Sequence, residues 1–253
     1  MLIDAHAHLD HERFDGEREA VIARALAAGV GLIVCVGSDL KSSRESLALA
    51  RANTSVFAAA GVHPHEAGAA PPDYLDEVRR LLAEPKMVAL GEIGLDYHYD
   101  FSPRPVQRQV FEAQLELARE LGCPVVVHSR KADADTARML AESGASRVVM
   151  HCYSGDWPLA ERYLELGYFI SLSGVVTFPK SAETREVALR LPLERLMLET
   201  DAPYLAPVPR RGRRNEPAYV RYTAEAVASI RGISLEEVAR QTTANAKLFF
   251  GLV

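Results

Sequence analysis

The stretch LIDAHAHL, residues 2–9, sets the pattern from which the fold of this chain is worked out. It is an apolar run of strand length that places His6 and His8 two positions apart. Successive side chains of a strand point to opposite faces, so two imidazoles separated by one residue lie on the same face. The run therefore predicts a strand that presents both imidazoles side by side.

Seven more apolar runs rich in Val, Ile and Leu follow, and amphipathic stretches separate them. Continuous apolar runs are typical of strands buried on both faces, as in parallel sheets. Stretches such as EREAVIARALAAG (17–29) and RQVFEAQLELARELG (108–122) have the apolar spacing of helices. The seven runs lie at 32–37, 56–64, 88–96, 124–129, 147–155, 168–175 and 196–204.

This alternation predicts both the fold class and the domain organisation. Eight strand–helix repeats in 253 residues match an α/β fold, a (β/α)8 TIM barrel, with extra C-terminal helices at 217–231 and 234–249. A doubly wound sheet is the alternative architecture. No linker or low-complexity segment divides the sequence, so we expect a single domain over residues 1–253.

Composition limits how the chain can attract a partner. A net charge of −5 gives no overall positive field, so a polyanionic substrate needs a local attraction from bound cations or a basic loop. No apolar run approaches the roughly 20 residues of a membrane span, and no basic segment precedes the first run as in a signal peptide. We expect a cytoplasmic monomer without membrane contact.

Seven polar side chains interrupt the apolar runs, mostly toward their C-terminal ends. In a barrel these ends converge on one face, where active sites are built from several strands. Taken singly, each residue has a structural explanation, such as a hydrogen-bonded core histidine or a salt-bridged acid. Together, these carboxylates and imidazoles would repel one another and leave buried charge without compensation. A divalent metal centre would compensate that charge. The seven are His6, His8, His63, Glu92, His128, His151 and Asp201.

Six of these side chains form a ligand set large enough for two divalent ions. Four imidazoles with two carboxylates suit Zn²⁺, Mn²⁺, Fe²⁺ or Co²⁺, and Mg²⁺ remains open. Two ions can share one bridging group, for which Glu92 is the natural candidate because of its place in mid-sequence. The predicted ligands are His6, His8, Glu92, His128, His151 and Asp201.

Six motifs together resemble the TatD family of metal-dependent deoxyribonucleases, which are amidohydrolase-type barrels. The resemblance covers essentially the whole chain and keeps the order of the motifs. Tyr153 and His98 depart from the family pattern, but neither is a presumed ligand. The motifs are DAHAHLD (4–10), GVHPH (61–65), GEIGLDYHYD (91–100), PVVVHSRKADAD (124–135), HCYSG (151–155) and LETDAPYLAPVPRRGRRNEP (198–217).

The resemblance implies a TIM barrel and a hydrolase that cleaves DNA phosphodiester bonds with two divalent ions, Mg²⁺, Mn²⁺ or Zn²⁺. It implies that His63 lies beside the ions and contacts the scissile phosphate. Glu92 stands where many amidohydrolases have a carboxylated lysine, which weakens a dihydroorotase-like or urease-like interpretation. The implied ligands are His6, His8, Glu92 and Asp201 for one ion, and Glu92, His128 and His151 for the other.

Catalytic roles are expected for Asp201, Glu92 and His63. Two ions lower the pKa of a bound water and neutralise charge on the phosphate, with Glu92 between them. Asp201 is expected to hold the nucleophilic water and accept its proton, although pure ligation is an open alternative. His63, if protonated, stabilises the charge of the transition state.

The substrate is expected to contact residues around this centre. Guanidinium forks suit phosphate, so the arginines of PRRGRRNEP (209–217) are candidates, with a solvated loop as the alternative. Arg130 is a further candidate, with contact to a neighbouring carboxylate as the alternative. Aromatic residues at the strand ends could stack on the bases of single-stranded DNA, with core packing as the alternative. The predicted set is His63, Tyr97, Arg130, Arg210, Arg211, Arg213, Arg214 and Asn215, with Asn215 at an ordered corner.

Several functions remain open at this point. The favoured one is a deoxyribonuclease that trims single-stranded or short DNA from an end. A D-aminoacyl-tRNA deacylase or a phosphomonoesterase would use the same barrel and metals. A non-catalytic nucleic-acid-binding module with a structural metal is disfavoured, because structural sites are usually closed and four-coordinate.

Overall fold

A computed structural model describes residues 1–252 and confirms the predicted barrel. Eight parallel strands follow one another around the sheet in chain order within these residues, and helices lie between them. Val253, the last residue of the predicted domain, lies outside the described residues. The strands are β1 (Leu2–Ala7), β2 (Val30–Val36), β3 (Val56–Ala60), β4 (Met87–Asp96), β5 (Val125–Arg130), β6 (Val148–Met150), β7 (Phe169–Leu172) and β8 (Leu196–Leu198).

The helices pack around the barrel, and the last of them provides the extra C-terminal element that was predicted. The helix expected at 217–231 begins later, because Pro217–Tyr219 forms a 3-10 turn before it. The helices are α1 (Arg18–Ala27), α2 (Leu40–Ala52), α3 (Tyr74–Leu82), α4 (Arg104–Leu121), α5 (Asp133–Ser143), α6 (Trp157–Glu165), α7 (Ala182–Arg190), α8 (Val220–Arg231) and α9 (Leu235–Phe250).

Several strands end sooner than the apolar runs predicted. The runs at 147–155 and 196–204 leave the sheet after Met150 and Leu198. The backbone turns there, because Cys152 and Asp201 adopt left-handed conformations with φ of 45° and 57°. Polar residues expected inside these strands therefore lie in the connections just beyond them, at the C-terminal end of the barrel.

The barrel closes where β1 meets β8, with little regular pairing. Across this seam, residues 1–252 show one isolated bridge, between Ala7 and Ala202. The amide of His8 donates to the carbonyl of Ala202 at 2.7 Å, and the amide of Asp201 donates to the carbonyl of His6 at 2.9 Å. Three predicted ligands are thus fixed to one another through the backbone of the seam.

A buried carboxylate strengthens the same seam. Asp4, with no exposed surface, accepts hydrogen bonds from the backbone amide of Thr200 at 2.8 Å and from its hydroxyl at 2.6 Å. Burial raises the pKa of Asp4 well above its usual value, although these hydrogen bonds oppose the shift. Asp4 thus supplies contacts between β1 and β8 where the backbone ladder is sparse.

One end of the barrel is covered, so the other is available for a site. Apolar side chains inside the barrel, including Phe169 at the start of β7, pack against Ala246, Phe249 and Phe250 of α9. The rings of Phe169 and Phe249 meet edge to face, with centroids 5.5 Å apart. α9 therefore covers the N-terminal ends of the strands. Within residues 1–252, no helix has the length and apolar character of a membrane span.

Candidate metal centre

Glu92 reaches the middle of the C-terminal face because glycines let β4 approach β5 closely. Gly94 pairs with His128 in the parallel register and has φ of 142°. A Cβ atom on Gly94 would lie 1.9 Å from the carbonyl oxygen of His128. A larger residue cannot occupy this position without separating the strands, so Gly94 sets the distance between Glu92 and His128.

A first group of donor atoms meets one oxygen of Glu92. The Nε2 atoms of His6 and His8 lie 3.2 Å apart, and they are 3.4 Å and 3.7 Å from Oε2 of Glu92. Oδ1 of Asp201 lies 3.9 Å from Nε2 of His6 and 3.5 Å from Nε2 of His8. Ligands about 2.0–2.2 Å from a tetrahedral ion are roughly 3.3–3.6 Å apart. Donor atoms of His6, His8 and Glu92 therefore lie close enough together to hold one divalent ion, and Asp201 lies beside them.

A second group meets the other oxygen of the same carboxylate. Oε1 of Glu92 lies 2.9 Å from Nδ1 of His128 and 3.0 Å from Nε2 of His151. Nε2 of His63 is 3.4 Å from this oxygen. The structure therefore brings together all seven residues that the sequence analysis singled out, with one carboxylate between two groups of donors, as expected for a bridging ligand.

Three of the predicted ligands, His8, His128 and His151, form hydrogen bonds through the ring nitrogen that points away from Glu92. Nδ1 of His8 donates to the carbonyl oxygen of Val36 at 2.8 Å, which leaves Nε2 facing Glu92 and Asp201. Nδ1 of His151 donates to Glu199 at 3.0 Å, and Nε2 of His128 donates to Asp96 at 3.2 Å. In each case the nitrogen that faces Glu92 is the one at which a bound ion would take the place of a proton.

His63 has the opposite tautomer. Its Nδ1 accepts a hydrogen bond from the backbone amide of His65 at 3.1 Å, so the neutral ring carries its proton on Nε2. Burial lowers the pKa of His63 to about 4, although Glu92 opposes the shift. The ring is therefore a neutral donor at neutral pH rather than the protonated residue that the sequence analysis considered. A hydrogen-bond donor at this place suits contact with phosphate better than ligation.

Imidazole rings of the centre balance the charge of its carboxylates. Burial opposes ionisation of Glu92, but His151 and His63 hold its pKa well below the usual range. Burial likewise opposes protonation of His8, but Asp201 and Glu92 raise its pKa to about 9. Two buried carboxylates are thus compensated by imidazolium groups, and divalent ions at the same positions would supply that charge. The donor set fits metal ions on both spacing and charge.

Two buried acids that position the imidazoles escaped the sequence analysis. Glu199 accepts from Nδ1 of His151 and also from the backbone amide of Cys152, at 3.0 Å and 2.7 Å. Asp96 faces Nε2 of His128 and Nε2 of His65, the latter at 2.9 Å. Both are fully buried at strand ends. The argument that selected Glu92 and Asp201, an acid within an apolar run, applies to them equally well.

The predicted basic loop does not present its arginines as one group. The guanidinium of Arg214 bonds Glu17 at 2.9 Å, and that of Arg211 lies 4.0 Å from the ring centroid of Phe178. Arg210 donates to the hydroxyl of Tyr222 at 3.3 Å, and Arg213 is exposed. These contacts order the loop, and its contact with substrate stays a prediction.

The side chains of two other predicted substrate residues form hydrogen bonds with other parts of the protein. The amide of Asn215, with no exposed surface, donates to the carbonyls of Thr200 and Tyr204 at 2.8 Å and 2.6 Å. Asn215 is an ordered corner whose side chain holds the loop after β8, and its contact with substrate stays a prediction. The hydroxyl of Tyr97 donates to Asp135 at 2.7 Å, which turns it toward α5.

Comparisons with known proteins identify the family to which the chain is similar. A profile of the family described as TatD related DNase matches residues 3–251. The chain is 41% identical, over 99% of both sequences, to an uncharacterized metal-dependent hydrolase, YabD, of Bacillus subtilis. It is 38% identical, over 99% of this chain and 98% of the other, to the 3'-5' ssDNA/RNA exonuclease TatD of Klebsiella pneumoniae. The crystal structure of the TatD homolog YJJV from Escherichia coli superposes with a TM-score of 0.95 at 33% identity, covering 100% and 98% of the two chains.

Proposed function

The chain belongs to the TatD family of metal-dependent hydrolases, and from this membership we propose that it is an exonuclease that hydrolyses phosphodiester bonds of single-stranded DNA with two divalent ions. The observation that carries the proposal is the carboxylate of Glu92, whose two oxygens each meet a separate group of donor atoms. Relatives from Klebsiella pneumoniae and Erwinia tasmaniensis are named 3'-5' ssDNA/RNA exonucleases, which supports the substrate class.

The two groups of donors would hold one ion each. Bound divalent ions supply an acidified water and neutralise charge on the phosphate oxygens. Imidazole-rich ligation favours Mn²⁺ or Zn²⁺ over Mg²⁺. The first site is formed by His6, His8, Asp201 and Oε2 of Glu92, and the second by His128, His151 and Oε1 of Glu92.

Side chains of the protein would accept a proton from the water and position the phosphate. Burial opposes ionisation of Asp201, but His8 and His151 keep its pKa below the usual value, so it is ionised at neutral pH. An ionised carboxylate at the edge of the centre can orient a water and accept its proton. His63, as a neutral Nε2–H donor, would hold a phosphate oxygen without adding charge.

Digestion of an end-labelled single-stranded oligonucleotide tests the proposal. Metal-stripped protein receives Mg²⁺, Mn²⁺ or Zn²⁺ separately, on DNA and on RNA, with the label at either end. We expect a metal-dependent ladder of shortened products that is lost in Asp201→Asn. Asp73→Asn, an exposed acid before α3, is the matched control and should keep full activity. If the protein releases the amino acid from D-aminoacyl-tRNA and yields no shortened product, the deacylase takes the place of the nuclease as the proposed function.

A further inference from the structure

Exposed aromatic side chains are concentrated beside the metal centre. In the part of the chain that the structure describes, the exposed Phe, Tyr and Trp residues are Tyr99, Phe101 and Tyr204. Tyr99 and Phe101 follow β4, and Tyr204 follows β8, so all three lie on the C-terminal face. Exposed aromatic rings carry a cost in water and mark a binding surface when they gather at one place.

Tyr99 and Phe101 form a stacked pair that continues from the centre. Their rings are nearly parallel, at 16°, with centroids 5.2 Å apart. His65 meets both rings edge to face, and the centroid of its own ring lies 4.3 Å from that of His63. One imidazole therefore separates this aromatic pair from the side chain proposed to hold the phosphate.

A cationic side chain, that of Arg130, lies against this aromatic pair. The guanidinium of Arg130, at the end of β5, lies 4.7 Å from the ring centroid of Tyr99. Phe101 retains 68% exposure, so one aromatic surface stays open to an incoming planar group. An apolar face for a base beside a cation for its phosphate has the composition of a site for single-stranded nucleic acid.

The third exposed ring, that of Tyr204, lies on the other side of the centre. Tyr204 is 42% exposed, and its ring centroid is 6.1 Å from that of His8. The guanidinium of Arg13 lies 5.8 Å from the same ring. The aromatic pair adjoins the group of donors around His63 and His128, whereas Tyr204 adjoins the group around His8. Aromatic surfaces thus flank the centre from two sides.

We propose that Tyr99 and Phe101, with Arg130, form a stacking platform that selects an unpaired base on one side of the scissile phosphate, and that Tyr204 serves the base on the other side. The inference rests on the proposed nuclease function and adds residues that determine specificity. Stacking requires bases that are free of a partner strand but recognises any of the four. The platform therefore favours single strands without sequence preference.

Binding of fluorescently labelled oligonucleotides to metal-free protein tests the platform independently of cleavage. The probes are a short oligothymidylate and the same chain with single abasic positions. The variants are Tyr99→Ala/Phe101→Ala, Tyr204→Ala, the conservative Tyr99→Phe, and Leu189→Ala, which removes an exposed aliphatic side chain of α7. We expect the double variant to raise Kd about 10-fold or more for oligothymidylate, whereas Tyr99→Phe and Leu189→Ala bind as wild type does.

The abasic probes give the decisive comparison. We expect the double variant and an abasic position on one side of the cleaved bond to be non-additive, and Tyr204→Ala to be non-additive with an abasic position on the other side. Equal losses on normal and abasic chains would overturn the platform, because the lost contact would then involve the backbone alone. If wild-type protein shows this base-dependent binding but cleaves neither DNA nor RNA, the platform stands and the proposed nuclease function fails.

Discussion

The two halves of the metal centre are held by different means, although they share Glu92. The seam half, His6, His8 and Asp201, lies where β1 meets β8, and backbone hydrogen bonds fix it, including those across the seam. In the ladder half, His128 lies within β5 and His151 directly follows β6, two regularly paired strands, and buried carboxylates orient both imidazoles. The comparison teaches that a barrel can position metal ligands through main-chain contacts or through second carboxylates, within one site.

The difference affects how each half responds to pH and substitution. In the seam half the charge that balances His8 is Asp201, itself a predicted ligand. In the ladder half the balancing charges are Asp96 and Glu199, which contact the ring nitrogens of His128 and His151 that point away from Glu92. Supporting acids can therefore be changed in the ladder half while its ligands are left in place.

Replacing Glu92 should have the largest effect, because it removes the link between the halves. Glu92→Gln keeps the volume of the side chain but loses its charge and one acceptor oxygen. We expect turnover to fall at least about 1000-fold, equivalent to about 4 kcal/mol of lost transition-state stabilisation. Steady-state rates on labelled oligonucleotide, metal content and circular dichroism measure the change. Full activity with two ions bound would show that the halves work without a shared carboxylate.

The pH dependence of stability should separate the halves in metal-free protein. The pKa of His8 is about 9 in the fold, above the roughly 6.5 of an unfolded chain. Because the folded value is raised, the stabilisation is fully present below about pH 6.5 and is lost as pH rises through about 9. We expect a loss of up to about 3 kcal/mol in the free energy of unfolding over this interval.

Urea unfolding at several pH values measures this loss, with His8→Gln as the comparison. The variant should show a flatter dependence between about pH 6.5 and 9. Asp4 also has a raised pKa, so its ionisation removes stability in the same direction, and the slope that remains in the variant includes it. An unchanged slope in His8→Gln would assign the effect to the ladder half, where the pKa of His151 is raised by Glu92 and Glu199 against the effect of burial.

The sequence predicted the barrel and selected the seven residues that meet at its C-terminal end, because both depend on short-range patterns. Apolar runs identify the strands, and a His or Glu within such a run is costly enough to indicate function. The same pattern does not tell Glu199 from Asp201, which are two positions apart and share a face in an ideal strand. The left-handed turn at Asp201 directs one acid toward His6 and His8 and leaves the other behind His151.

The basic loop shows where such patterns end. Four arginines in PRRGRRNEP indicate a phosphate site by composition. Their partners come from other parts of the chain, as Glu17 does for Arg214 and Phe178 for Arg211. Only the fold brings these residues together, so composition could not show that several guanidinium groups are already engaged.

Removing a supporting acid should have a smaller effect than the other changes and should act on one half. Glu199→Gln retains an oxygen that can accept from Nδ1 of His151 but loses the negative charge. Supporting carboxylates of this kind contribute about 10- to 100-fold to metal affinity. We expect a loss of this size for the ion held by the ladder half, measured by calorimetric titration of metal-stripped protein with Mn²⁺ or Zn²⁺.

The matched control for this prediction is Asp4→Asn, which neutralises a buried acid of the seam. The introduced amide oxygen would still accept from Thr200, so the fold should survive, and any change in metal affinity should fall on the other binding step. If Glu199→Gln weakens one binding step and Asp4→Asn weakens the other, the metal affinity of each half depends on its own buried acid. Equal losses in both steps from Glu199→Gln would instead mean that Glu92 couples the ions so tightly that the halves behave as one site, because a weakened ligand on Oε1 would then be felt at Oε2.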